Sequence, residues 1–90
     1  MELKNKNILL TGGSSGIGKK TAEMLVEKGA KVLITGRSYD KIETIKQHLG
    51  VLGVSFDISD IENIAIKTDE CVELLGGRVD VLINNAGNNR

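Results

Sequence analysis

Residues 11 to 18 read Thr11-Gly12-Gly13-Ser14-Ser15-Gly16-Ile17-Gly18 and directly follow the apolar run Ile8-Leu9-Leu10. A strand that ends in glycines lets backbone N–H groups approach a phosphate, because no Cβ stands in the way. A helix that starts there adds the positive end of its dipole. An isolated match of this kind could equally be a Gly/Ser linker. The strand before it and the helix after it favour a phosphate-binding turn.

The three spaced glycines have separable predicted roles. Gly12 ends the strand in a sharp turn, Gly16 lets a diphosphate reach the backbone, and Gly18 lets the first helical turn pack against the strand. Their spacing is G-x-x-x-G-x-G, which differs from the G-x-G-x-x-G of the usual dinucleotide fingerprint. The assignment of the turn therefore depends on residues further along the chain.

Size and composition exclude several classes of protein. Residues 1–90 make one small domain at most, and 12 basic residues balance 12 acidic ones. A neutral chain offers no basic surface for nucleic acid and no polybasic patch for a membrane. No apolar run approaches the ~20 residues of a transmembrane helix, and the one cysteine cannot form an internal disulfide. We expect a soluble, cytoplasmic protein without a metal site, since no His/Cys/Asp cluster has metal-ligand spacing.

Short apolar runs alternate with amphipathic segments along the chain. The predicted strands are residues 7–11, 31–35, 53–56 and 79–83, and the predicted helices begin near Gly16, after Ser38 or Asp40, and after Ser59 or Asp60. Alternating strands and helices imply right-handed crossovers and a parallel sheet. We therefore predict an α/β, Rossmann-like, doubly wound fold of three layers. It has four strands in the order 3-2-1-4, three helices, and its ligand at the carboxyl ends of the strands.

Apolar spacing also predicts which helix faces are buried. The predicted face of the first helix is Ile17, Ala22, Leu25 and Val26, and that of the third helix is Ile61, Ile64, Ala65, Thr68, Val72 and Leu75. Cys71 lies close to the second of these faces, so we expect it at the core or its boundary. His48 lies near a helix end, where a cation is mildly favourable, and we expect neither a catalytic nor a metal-binding role for it.

Two motifs and an intervening acid extend this pattern along the chain. The residues Thr11-Gly12-x-x-x-Gly16-Ile17-Gly18, Asp57 after the third strand and Asn84-Asn85-Ala86-Gly87 after the fourth resemble short-chain dehydrogenases/reductases, and the resemblance runs from Asn5 to Gly87. It implies hydride transfer between a nicotinamide cofactor and a carbonyl or alcohol substrate. The cofactor contacts that it implies are Gly12, Ser14, Ser15, Gly16, Ile17 and Gly18 at the diphosphate, Asp57 and Ile58 at the adenine, and Asn84, Ala86 and Gly87 near the ribose. Asn84 would also tie the fourth strand to its neighbours. Asp57 could instead be a cap or turn residue beside Ser59.

The charge after the second strand bears on the choice of cofactor. NAD-binding proteins usually place Asp or Glu about 20 residues beyond the glycines, on the ribose 2′-hydroxyl. Here Gly36 and Arg37 occupy that region. A 2′-phosphate needs a cation, which Arg37 can supply as a planar fork, and Ser38 can add a hydroxyl donor. We therefore predict NADP in preference to NAD, with an ordinary solvated Arg37 as the alternative.

The chain departs from the family pattern after Gly87. The family's catalytic Ser and Tyr-x-x-x-Lys pair lie beyond the Asn-Asn-Ala-Gly motif. This chain ends at Arg90, and its one tyrosine, Tyr39, is followed four residues later by Glu43. We therefore identify no catalytic residue, and we expect the N-terminal cofactor-binding part of an oxidoreductase, inactive on its own. The alternatives are a non-catalytic nucleotide-binding or assembly module and an inert folding fragment. An exposed edge or sheet face of the fourth strand predicts self-association.

Overall fold

Seven elements alternate along the chain. The computed structural model describes residues 2–57 and 59–85, in which the elements are β1 (Asn7–Thr11), α1 (Gly16–Glu27), β2 (Lys31–Gly36), α2 (Tyr39–Leu49), β3 (Leu52–Ser55), α3 (Ile61–Leu74) and β4 (Val81–Asn84). β4 begins two residues later than predicted, because its pairing with β1 starts where Val81 meets Ile8. The other boundaries differ from the predicted ones by a residue or two.

The four strands form one parallel sheet in the order β3-β2-β1-β4. The prediction of an α/β fold with strand order 3-2-1-4 and three helices is therefore confirmed. The chain runs outward from β1 to β3 and then crosses back to place β4 on the other side of β1. The turn after β1 and the residues after β4 consequently meet at the carboxyl edge of the sheet, where open α/β sheets bind ligands.

Side chains of the sheet alternate between two faces that different helices cover. The α1/α2 face is the cluster under α1 and α2, and it buries Ile8, Leu10, Ala22, Leu25, Val32, Ile34, Ile42, Ile45 and Val51. The α3 face is the smaller cluster under α3, and it buries Leu9, Leu33, Val54, Cys71 and Leu75. Because β1 and β2 contribute to both clusters, their sequences are continuous apolar runs, as is typical of parallel strands covered on both sides.

The starts of α2 and α3 distinguish between the predicted caps. Ser38, rather than Asp40, caps α2, and its Oγ accepts a hydrogen bond from Lys41 N at 3.3 Å. Asp60, rather than Ser59, occupies the cap position of α3, but its side chain makes no capping hydrogen bond to the helix backbone. The start of α3 is thus less firmly specified than that of α2.

Four residues of the predicted apolar helix faces are exposed, namely Ile17 of α1 and Ile61, Ala65 and Thr68 of α3. Ile17 is 75% exposed and Ile61 is 80% exposed. Both lie in the first turn of a helix, at the carboxyl edge of the sheet, so no strand runs beneath them. On α3, burial is concentrated near the C-terminus, at Cys71 and Leu75. The spacing therefore predicted the helices correctly but extended their buried faces too far toward the N-termini.

Candidate functional site

The glycine turn lies at the carboxyl edge of the sheet, between β1 and α1. Gly12 has a φ of 74°, a conformation that glycine adopts without strain, and this lets the chain turn sharply out of β1. Gly13 N donates a hydrogen bond to Thr35 O of β2 at 3.0 Å. The turn is therefore anchored to a neighbouring strand, which a Gly/Ser linker would not be.

The first turn of α1 packs directly on this glycine turn. A Cβ on Gly18 would overlap the carbonyl oxygen of Gly12 and would lie 2.8 Å from the Cα of Gly13. No larger residue fits at position 18 unless the backbone moves. Around Gly16, by contrast, a Cβ would meet no atom within 4 Å. The space next to Gly16 is therefore open to a ligand.

Three backbone amides of the turn are open to an acceptor from outside. Within residues 2–57 and 59–85, the N–H groups of Ser14, Gly16 and Ile17 donate to no protein atom. The next two N–H groups along α1 are satisfied by Ser15, through its hydroxyl at 3.0 Å and its carbonyl at 2.7 Å. Open amides at a helix N-terminus, together with the positive end of the helix dipole, form an anion-binding site. The turn can therefore hold a phosphate without a lysine.

The two serines of the turn differ in their surroundings. Ser15 Oγ accepts from Gly18 N at 3.0 Å and from Asn85 Nδ2 at 3.1 Å, and it donates to Gly12 O at 3.1 Å. These three bonds use the full capacity of a hydroxyl, so Ser15 shapes the protein and has no hydroxyl bond left for a phosphate. Ser14 instead lines an open depression of about 300 Å³ together with Lys19, Asp40, Lys41, Thr44 and Ile45.

The residues after β2 lie beside the glycine turn. A Cβ on Gly36, the last residue of β2, would lie 2.6 Å from Ser14 Oγ. Arg37 follows and is exposed, and Ser38 is half-buried. The Ser38 hydroxyl accepts the cap bond of α2, and a hydroxyl in that role still has its O–H to donate. The structure thus places the end of β2 next to the glycine turn, and Arg37 and Ser38 directly follow the residue that contacts Ser14.

Asp57 follows β3 and forms a turn with Ser59. Its Oδ1 accepts from Ser59 N at 2.9 Å and from Ser59 Oγ at 2.8 Å. These hydrogen bonds hold the pKa of Asp57 below its ordinary value, and the charge of Arg37 acts in the same direction. This geometry matches the alternative of a turn residue, and the contact of Asp57 with an adenine stays a prediction. Ile58, predicted beside the adenine, lies outside the described residues.

Asn84 joins β4 to β1. Thr11 Oγ1 donates to Asn84 Oδ1 at 2.8 Å, and the two residues are partners in the register of the sheet. Asn84 therefore ties strand four to its neighbour, and its proximity to a ribose stays a prediction. Ala86 and Gly87, predicted near the ribose, lie outside the described residues.

Asn85 is a site residue to which the sequence alone assigns no role. Its Nδ2 donates to Gly12 O at 3.3 Å and to Ser15 Oγ at 3.1 Å. Its backbone N donates to Thr11 O at 3.1 Å. The signal that could have found it is its place directly after β4, because the carboxyl ends of adjacent parallel strands lie side by side. In the order 3-2-1-4, the neighbour of that position is the glycine turn.

Neither His48 nor Cys71 takes part in this site. His48 is exposed in the last turn of α2. Cys71 is buried on the α3 face, where burial raises its pKa to about 11 and Glu70 acts in the same direction. A thiol of this kind is protonated at neutral pH and packs as part of the core. In the part of the chain that the structure describes, no group of three or more His, Cys, Asp or Glu residues could hold a metal ion. None of the described helices combines the length and apolar character needed to cross a membrane.

Known proteins resemble this chain in both sequence and fold. It is 42% identical over 91 residues to an uncharacterised oxidoreductase of Staphylococcus saprophyticus, in an alignment that covers 94% of this chain and 35% of the relative. It is also 42% identical over 93 residues to the 3-oxoacyl-acyl-carrier-protein reductase FabG of Vibrio harveyi, over 97% of this chain and 36% of the relative. A short-chain type dehydrogenase/reductase from Mycobacterium ulcerans superimposes with a TM-score of 0.88 at 31% identity, over 100% of this chain and 35% of that one. The chain thus spans about a third of the length of the relatives it matches.

A family model extends this likeness to nearly every residue. The model described as short chain dehydrogenase matches residues 6–90, which include the glycine turn and the Asn-Asn-Ala-Gly motif. A short chain dehydrogenase from Bacillus anthracis, with a TM-score of 0.81 and 38% identity over 93% of this chain and 35% of its own length, has the same fold. The chain therefore belongs to the short-chain dehydrogenase family, whose members are oxidoreductases that use nicotinamide cofactors.

Proposed function

We propose that this chain is the NADP(H)-binding part of an oxidoreductase that transfers a hydride between the nicotinamide and a carbonyl or alcohol substrate. The observation that carries the proposal is the set of open amides at Ser14, Gly16 and Ile17, with Arg37 at the neighbouring strand end. The Vibrio harveyi relative is a 3-oxoacyl-acyl-carrier-protein reductase, which supports a carbonyl substrate.

The residues present fit a dinucleotide. The open amides would donate to the diphosphate, and the empty space next to Gly16 lets the phosphates come close. The Arg37 guanidinium and the Ser38 hydroxyl would hold a 2′-phosphate through charge-assisted hydrogen bonds. When bound, the cofactor supplies the hydride chemistry, and these residues bind and orient it.

The preference for NADP is supported by the charges at the end of β2. Gly36 offers no carboxylate to accept a hydrogen bond from a ribose 2′-hydroxyl, and Arg37 offers a cation to a 2′-phosphate. The nearby carboxylate is Asp57, whose charge interacts with that of Arg37. Because the Oδ1 atom of Asp57 is bonded twice to Ser59, this carboxylate is held toward its own turn.

The proposal is tested by titrating the chain with NADPH and NADH while following their fluorescence. Arg37→Asp should weaken NADPH binding by about 10- to 100-fold, because hydrogen bonds to charged groups are worth about 1.5–3 kcal/mol. NADH binding should change by less than about threefold. Lys28→Asp makes the same charge change at an exposed position at the end of α1, on the opposite edge of the sheet, and should leave both affinities unchanged.

Two results would count against this function. Equal weakening of NADPH and NADH by Arg37→Asp would remove Arg37 from the 2′-phosphate site. A wild-type chain that binds neither nucleotide would contradict cofactor binding altogether.

A non-catalytic nucleotide-binding or assembly module is the second candidate. The open amides at Ser14, Gly16 and Ile17 would bind a nucleotide in such a module as well as in an oxidoreductase. Consumption of NADPH on addition of a 3-oxoacyl thioester would exclude this candidate. Binding of NADPH without consumption would support it.

We also propose that the chain self-associates through β4. Among the described strands, β4 lies at an outer edge of the sheet, and Leu82 at its centre is 62% exposed. A charged residue, Asp80, lies next to the strand. It does not hinder pairing at that edge, because its carboxylate is bonded to Asn7 N and to Arg78. An edge strand with an exposed apolar side chain favours pairing with a second copy.

A further inference from the structure

We infer that Asn85 is a positioning residue, whose carboxamide holds the turn between β1 and α1 in the shape that exposes its amides to a diphosphate. The inference rests on the proposed function for the identity of the ligand. The mechanism itself rests on the hydrogen bonds around Asn85.

One side chain spans the whole turn. Asn85 Nδ2 lies 3.3 Å from Gly12 O, where the chain leaves β1, and 3.1 Å from Ser15 Oγ, where α1 begins. A carboxamide has two N–H donors, so both bonds can form at once. The backbone of Asn85 is itself fixed to β1, since its N donates to Thr11 O at 3.1 Å. The turn is therefore clamped from β4 at both of its ends.

The bond from Asn85 determines where the Ser15 hydroxyl points. Asn85 Nδ2 and Gly18 N both donate to Ser15 Oγ, so the Ser15 O–H is left to donate to Gly12 O at 3.1 Å. In that orientation Ser15 caps α1. The amides of Gly16 and Ile17, ahead of the capped one, stay open.

The same bonds also occupy the carbonyl oxygen of Gly12 as an acceptor. Its oxygen accepts from Ser15 N at 3.3 Å, from Ser15 Oγ at 3.1 Å and from Asn85 Nδ2 at 3.3 Å. These donors offset the partial negative charge of the carbonyl oxygen. Asn85 thus favours an anion at the turn without touching it.

The position requires a donor at the end of a short side chain. Nδ2 lies 3.0 Å from the place that a Cβ on Gly18 would take, so the carboxamide is packed over the first turn of α1. Its partner Gly12 O can only accept a hydrogen bond. Asn85→Asp keeps the shape but replaces the donor by a carboxylate oxygen, which repels Gly12 O. Asn85→Leu removes the donor without adding a charge.

The first measurement is amide hydrogen exchange on the free chain. Both variants should speed exchange at Gly18 N, which Ser15 Oγ protects, by at least tenfold, with Asn85→Asp the faster. The amide of Leu33, in the centre of the sheet between β1 and β3, should change much less. Asn63→Asp makes the same substitution in the exposed first turn of α3 and should leave Gly18 unchanged.

The second measurement compares two ligands. NADPH carries the diphosphate and adenosine 2′-monophosphate does not, so Asn85→Asp should weaken NADPH at least tenfold and the monophosphate by less than twofold. Equal acceleration of Gly18 and Leu33, or equal weakening of the two ligands, would mean general destabilisation and would overturn the inference. Wild-type behaviour of Asn85→Asp would overturn it too. If the wild-type chain fails to bind NADPH, the proposed function fails, and the exchange at Gly18 alone decides whether Asn85 clamps the turn.

Discussion

The two faces of the sheet are covered to different degrees. Among the described residues, the α1/α2 face buries nine side chains under two helices, and the α3 face buries five under one. A single row of leucines across the α3 face shows the difference: Leu33 is 0%, Leu9 is 9% and Leu82 is 62% exposed. These residues are alike in hydrophobicity and differ only in what lies above them. Coverage by helices, rather than the strand sequence, therefore decides how much each face stabilises the fold.

The test with the largest expected effect makes the same substitution, Ile to Ala, in a helix over each face. Ile42 of α2 is fully buried on the α1/α2 face, and Ile66 of α3 is 64% exposed. Ile42→Ala should lower the free energy of unfolding by about 2–4 kcal/mol, because it removes buried methyl groups and leaves a cavity. Ile66→Ala should change it by less than about 0.5 kcal/mol, since the side chain loses little contact. Urea unfolding followed by circular dichroism measures both. Similar losses would show that α3 packs as tightly as α2.

A second test concerns the point where the α3 face is firmly held. Asn7 Nδ2 donates to Leu75 O at 2.7 Å and to Arg78 O at 3.0 Å, and Asn7 N donates to Asp80 Oδ2 at 2.8 Å. The bond from Asn7 N, and then that from Arg78, hold the pKa of Asp80 below its ordinary value of 3.8. The carboxylate therefore stabilises the fold above pH 3.8, and this contribution disappears as the pH falls through the lower pKa of the folded state.

Asp80→Asn should consequently be less stable than the wild type at pH 7, and the difference should shrink as the pH is lowered below 3.8. Urea midpoints of the two proteins between pH 7 and pH 3 would measure this. Asp57, whose pKa is also lowered, is present in both proteins and cancels in the comparison. A difference that is constant with pH would show that the Asp80 charge does not stabilise the fold through its bonds to Asn7 N and Arg78.

The fold could be predicted from the sequence largely because each element carries its own signal. Apolar runs marked β1 and β2, glycines marked the turns, and the alternation of elements implied a parallel sheet. The exposure of Ile17 and Ile61 could not be predicted in this way, because periodicity shows which side of a helix is apolar and does not show where the sheet beneath it ends.

The parts of the site that depend on backbone geometry could be predicted from the sequence. The parts that depend on side-chain contacts between strands could be predicted less well. The turn at Gly12 and the close packing at Gly18 follow from local sequence. The occupied hydroxyl of Ser15 and the clamp formed by Asn85 depend on a contact between residues 70 positions apart, for which the local sequence holds no signal. The role of Asp57 could not be predicted either, because an aspartate suits both a turn with Ser59 and a contact with a ligand.

The smallest expected change in stability comes from the exposed end of the leucine row. Leu82→Thr keeps a residue that favours strands and should change the free energy of unfolding by less than about 0.5 kcal/mol, since the side chain is mostly in solvent. If a second copy covers this part of the α3 face, the substitution should nevertheless shift sedimentation velocity profiles toward the monomer. Ile83→Thr is the matched control, because Ile83 packs against the α1/α2 face and should cost stability without that specific shift. A wild-type chain that stays monomeric at all concentrations would contradict self-association. Leu82 would then be exposed without serving an interface between copies of the chain.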